Sequence, residues 1–255
     1  MTTTSMPMPA PEAQSRPKAA ISPVGRILGM FFSPKKTFED IVRAPSWLAP
    51  LALIVALALV GVVALNSHFD WRGYITQQME KSPSTANLSA ADKQQRIEGG
   101  VKFAPIMAYA FGIPAPIVML LVVALVLWGI YNLMSGAGVN FAQSFGIVTH
   151  AFVPISIIGT FLFLLVLFLK PVGSFDLDNP VATNLAVLLP DEAAKWLVNL
   201  CKNIDLLELW KLLLLGMGFA AVNPKKLKGG KSYTIVFGAF AVWVLGRVVW
   251  GFIAS

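Results

Sequence analysis

Five apolar runs, at about residues 47–65, 112–133, 145–169, 206–222 and 233–253, leave this chain few options. Each is close to the ~20 residues that a helix needs to cross the hydrocarbon core of a bilayer. Inside lipid the backbone N–H and C=O groups must pair with one another, so runs of this kind become helices. Charged residues make up 13% of the chain, against about 25% in a soluble domain. The expected fold class is therefore all-α: an integral membrane bundle of about five transmembrane helices with interfacial amphipathic helices. Residues 1–22, rich in Thr, Ser, Pro and Ala, read as a disordered tail, and 23–255 as one membrane domain. The first apolar core lies too far into the chain to be a signal peptide.

The connecting segments carry their own signals. Ser46 is placed to cap the first span, with Trp47 at the membrane interface. Ser89 and Asp92 have the spacing of a capping box that opens a helix. Pro105, Pro114 and Pro116 interrupt the apolar stretch 103–134, so its first half reads as an interfacial or kinked helix. "MSGAGVNFAQS", Met134 to Ser144, is uncharged and Gly-rich, a tight turn between neighbouring spans. In "LPDEAAKWLVNLCKNI", Ala193, Trp196, Leu197, Leu200, Cys201 and Ile204 recur at helical spacing, which predicts an amphipathic helix on the membrane surface.

Basic residues set the expected orientation. With the N-terminus inside, the inner segments hold ten Lys and Arg and the longer outer segments eight. The balance favours N-inside and C-outside. Basic residues beside apolar spans also account for the net charge of +7, and no recognition motif argues for nucleic acid. Cys201 has no disulfide partner in the chain, and His68 and His150 sit in no ligand cluster. No cofactor, metal or catalytic residue is expected.

Ionisable residues within spans are costly and are the first candidates for function. Glu208 and Lys211 are three apart at the head of the fourth span and can share one helix face. Arg247 should lie at a similar depth on the antiparallel fifth span, with Asp205 just above. The favoured reading is a structural ion-pair cluster locking the two spans, with Lys211 snorkelling outward. The alternative is a proton or ion relay. In the third span, Pro154 cannot donate to the carbonyl of His150, so a kink is expected beside that ring.

Before the first span, Ser33 can cap a short helix with Pro34 at its first position. Phe38, Ile41 and Val42 form one face; Lys35, Lys36, Glu39, Asp40 and Arg43 form the other. The pattern predicts a helix lying flat on the inner surface, with Glu39 and Arg43 paired. The mixed-charge face is left free for the basic turn "NPKKLKGGKS" or for a partner.

Four stretches carry a family resemblance: "FFSPKKTFEDIVRAPSWLAPLALI", "GVNFAQSFGIVTHAFVPISI", "NPVATNLAVLLPD" and "IDLLELWKLLLLGMG" followed by "NPKKLKGGKS". In this order and spacing the chain resembles the Ypt-interacting-protein (Yip) family of multi-span membrane proteins, in its bacterial form. Leu207 departs from the pattern, standing where an aromatic residue is expected after Asp205. The resemblance implies five spans, an inside N-terminus, a bacterial inner membrane and no enzymatic activity. Eukaryotic relatives act in vesicle trafficking and bind small GTPases, a role not carried over to this chain. The expected partners are the lipid bilayer and a membrane protein or a second copy of the chain. The expected function is a non-enzymatic scaffold or membrane-organising protein. A small transporter or channel using Glu208, Lys211, Arg247 and His150 is the alternative.

Overall fold

The computed structural model describes residues 18–253 apart from Asp178 and Asp191. The expected tail lies mostly outside the described residues. Its last part does not trail free, because the N–H groups of Ala20 and Ile21 donate to Asp40. Ten α-helices follow: α1 Pro23–Phe32, α2 Pro34–Arg43, α3 Leu48–His68, α4 Trp71–Lys81, α5 Ala90–Gly112, α6 Ala115–Ser135, α7 Phe141–Leu169, α8 Lys195–Asn203, α9 Leu206–Val222 and α10 Lys231–Ile253. The chain is an all-α membrane bundle.

Among the described residues four stretches are long and apolar enough to cross a membrane: Leu48–His68, Ala90–Ser135, Phe141–Leu169 and Lys231–Trp250. The remaining expected span, α9, has 17 residues. At 1.5 Å per residue that is about 26 Å, at the short limit of a crossing. The prolines after Phe103 act as read, but later in the chain. Helix α5 runs through Pro105, and the break falls at Ile113 and Pro114 before α6 begins. Ser89 opens α5, its side chain accepting from the N–H of Asp92.

Helix α7 is the centre of the bundle, packed against α3, α6 and α9. Its first half is buried from Ser144 to Pro154. An Asn140–Gln143 capping box starts it, satisfying two orphan backbone donors at once. Gly136, at φ +56°, ends α6 in the left-handed conformation that glycine adopts without a Cβ penalty. The uncharged turn that follows is tied down from three sides. Trp128 and Asn132 side chains donate to the carbonyl of Val139, Asn223 donates to Ala137, and Lys226 Nζ to Gly136. The basic turn before α10 therefore meets this turn.

Several polar groups inside the bundle are paired helix to helix. Tyr131 Oη lies 2.7 Å from the carbonyl of Ser232, and Ser232 Oγ donates to Gly216 at 2.6 Å. Ser144 Oγ donates to the carbonyl of Ala124. Tyr131 also stacks on Phe219 at 4.2 Å between centroids.

Three readings of the segment from α1 to the start of α3 need correction. Helix α2 does not lie on a lipid surface: it packs against α9 and α7, and Phe38 and Ile41 are fully buried among protein side chains. Lys35, Lys36 and Arg43 do face outward. Ser33 occupies the N-cap position of α2 but makes no side-chain cap bond. Ser46 caps nothing; its Oγ accepts from Arg26 at 2.6 Å. A buried cation takes Ser46 away from the role that helix rules alone would give it.

Candidate functional site

That cation is Arg26, on α1. It is 1% exposed, and Asp40 beside it is 5% exposed. Arg26 Nε and Nη2 donate to Asp40 Oδ2 at 3.0 and 2.8 Å. Its other donors reach the carbonyls of Asp40 and Ala44 and the hydroxyl of Ser46. The fork of a guanidinium is thereby used in full. Asp40 further accepts from Ala20 and Ile21 N–H and from Arg43 Nη2 at 2.5 Å. Arg43 thus pairs with Asp40, three residues back, in place of the expected Glu39. Burial by itself would raise the pKa of Asp40. The Ala20 N–H, the Arg26 guanidinium, the Ile21 N–H and Arg43 outweigh it and hold the carboxyl well below the usual carboxylate range. One buried ion pair fastens α1, α2, the entry to α3 and the segment before α1.

The residues expected at the head of the fourth span separate into two groups. Lys211 Nζ lies 2.6 Å from Glu208 Oε2, with side chains 14% and 28% exposed, and 4.6 Å above the Phe152 ring of α7. Lys211 therefore folds inward over an aromatic face and does not snorkel. Arg247 is not in the cluster. It is exposed, sits over Trp243, and directs Nη1 toward Asn203 Oδ1 of α8 at 3.4 Å. The one-dimensional depth estimate placed Arg247 level with Lys211 but said nothing of helix rotation, which turns it toward α8.

Asp205 has a different task. It caps α9, accepting from the N–H groups of Leu207 and Glu208. It also accepts from Thr183 Oγ1 at 2.5 Å. The backbone on either side completes a short bridge, Leu185 N–H to Ile204 and Leu206 N–H to Thr183. The stretches "NPVATNLAVLLPD" and "IDLLELW" are thus two halves of one junction at the α8 end of the bundle.

His150 is fully buried in α7, which remains a single helix through Pro154. Its Nδ1 is 2.8 Å from the carbonyl of Gly146. His150 has no exposed surface, whereas Arg247 is exposed and faces α8, so the two do not form one site. Among the described residues no group of three or more His, Cys, Asp or Glu side chains gathers as a metal site would.

Glu208 and Lys211 instead border a groove of about 750 Å³ between α6 and the α9–α10 pair. Val118, Met119 and Val122 line one wall, Leu215 and Phe240 the other, and Phe152 of α7 is among the residues lining it. Val118 and Val122 are each more than half exposed, so the groove opens sideways, onto what would be the acyl-chain layer. The charge pair is its polar feature. Nothing in a hydropathy pattern foretold it, since a groove depends on how far α6 stands from α10.

The electrostatic links can be tested by double-mutant cycles on thermal stability in detergent. Glu208→Gln and Lys211→Gln should be coupled by about 0.5–1 kcal/mol. Glu208→Gln and Arg247→Gln should be additive. Strong coupling in the second cycle would restore a cluster that includes Arg247.

The family comparison agrees with this architecture. The family model described as Yip1 domain matches residues 28–251. No match was found among curated proteins or among solved structures.

Proposed function

Because the chain belongs to the Yip1 domain family, we propose that this multi-pass membrane protein is a non-enzymatic scaffold that organises its bilayer surroundings, a trafficking-like role without a reaction of its own. The observation that carries the reading is the groove beside α6. It is apolar except for Glu208 and Lys211, and it opens laterally. Such a surface suits an acyl chain or another membrane component. A hydrated solute needs polar groups from several spans near the midplane, and His150, the expected contributor from the third span, is packed away from the groove.

The proposed setting is a bacterial inner membrane with the N-terminus inside and the C-terminus outside. The basic residues Lys35, Lys36, Arg43 and Lys225 are exposed at the α1–α2 end, as the positive-inside rule requires of a cytoplasmic face. That end also presents the solvent-facing side of α2 to a membrane-protein partner or a second copy.

The full chain reconstituted in vesicles carrying a pH-sensitive dye should pass protons and alkali cations no faster than protein-free vesicles. A flux that Glu208→Gln abolishes would overturn the scaffold reading and favour the transporter alternative.

A further inference from the structure

The groove has a shape, a length and one pair of charges, and together these specify an occupant. Its long wall runs from Ala115 to Val126 on α6, about 17 Å at 1.5 Å per residue. That is about half of a hydrocarbon core about 30 Å thick, or one leaflet. The opposite wall is Leu212 and Leu215 of α9 with Val236, Ala239 and Phe240 of α10. Helix α6 meets α10 only weakly, so the groove is not closed by the chain itself.

Two classes of molecule could fill such a space: a partner's transmembrane helix or a lipid. A transmembrane helix about 10 Å across is a stiff cylinder that would have to match both walls along their whole length. Acyl chains are thinner and adapt to an irregular wall. The position of the charges decides the rest. Glu208 and Lys211 lie in the first turns of α9 and line the groove, so a headgroup bound there would meet both charges. Their two opposite charges are held 2.6 Å apart. Only one of the three ammonium donors of Lys211 is needed for that bond, and the Phe152 ring beneath it fixes its direction. A carboxylate beside an ammonium is the complement of a headgroup that carries an ammonium beside a phosphate.

We propose that this groove binds one diacyl phospholipid with a primary-amine headgroup, the lipid phosphate accepting from Lys211, the lipid ammonium donating to Glu208, and an acyl chain lying along α6. The inference rests on the scaffold reading for its setting but can fail separately. The amine hydrogens matter: a quaternary ammonium cannot donate to Glu208, and a glycerol headgroup offers no cation.

The test uses the full chain reconstituted into vesicles of equal parts phosphatidylethanolamine, phosphatidylcholine and phosphatidylglycerol. The protein is then extracted in mild detergent and weighed by native mass spectrometry. One retained phospholipid is expected, with phosphatidylethanolamine preferred about tenfold, the ratio for a single well-made charged contact. Val122→Trp should expel it, since that side chain faces the groove without supporting the core. Lys211→Gln should lower retention and flatten the headgroup preference. Equal retention of the three lipids by the wild type overturns the proposal without recourse to any variant. So does a Val122→Trp protein that keeps its lipid, or a photo-crosslinker at residue 122 that captures protein and no lipid. A chain that conducts no ions yet retains no lipid sinks this proposal alone.

Discussion

Asp40→Asn is expected to be the most damaging single polar substitution in the chain, costing about 3–5 kcal/mol, because it leaves a buried guanidinium without a counter-charge. The amide keeps the shape of the carboxylate, so packing does not confuse the result. Arg26→Met should cost less, since Asp40 would retain the N–H groups of Ala20 and Ile21 and the guanidinium of Arg43. The double variant Arg26→Met, Asp40→Leu should recover much of the loss, as apolar replacements of buried pairs often do. Thermal unfolding of the detergent-solubilised protein checks all three. Asp40→Asn proving no worse than Arg26→Met would show that the carboxylate does not hold this end together.

The same group fixes an acid limit. The folded state lowers the pKa of Asp40, so the fold favours the charged form. The stabilisation is complete above the unfolded carboxylate value of about 4 and is lost as pH falls below it. The wild type should lose stability progressively in that acid range, and the Asp40→Asn protein should lose correspondingly less.

How far the sequence carries depends on what kind of information a feature needs. The spans came from hydropathy and the turns from glycine and proline, which act within a few residues of themselves. Span limits for α9 and the third helix fall close to those read from residues 206–222 and 145–169. Charge roles did not follow. Arg26 was counted only for topology because its partner, Asp40, lies fourteen residues away on another helix. The Glu39–Arg43 pair obeyed the four-residue rule, yet a buried carboxylate three residues back offered Arg43 a stronger field. Arg247 was expected beside Lys211 and instead turns toward Asn203 of α8. For Arg26 and Arg247 a rule of local spacing lost to a contact between helices, and no single-sequence pattern records helix rotation.

The largest apolar effect should come from Phe38→Ala, at about 3–5 kcal/mol. Phe38 has no exposed surface, and it is seated where α2, α7 and α9 meet. The seat exists because residue 218 is glycine. A Cβ there would stand 2.5 Å from Ile147 Cγ2 and 2.9 Å from the Phe38 ring, closer than carbon atoms approach. Gly218→Leu should therefore push α2 off α9, costing about 1–3 kcal/mol or more by overpacking. The two changes are opposite in volume at one contact, so they should not add. Phe38→Ala removes the two ring contacts that an alanine at 218 would make but leaves Ile147, so Gly218→Ala should cost less in the Phe38→Ala background than in the wild type. Melting curves of the four proteins in detergent decide this. Additive losses would mean that α2 is held elsewhere and only rests on α9. Sub-additive losses would show that the charged collar before the first span is keyed into the bundle by its apolar face, which leaves Lys35, Lys36 and Arg43 as a rigidly presented surface in place of a mobile lipid anchor.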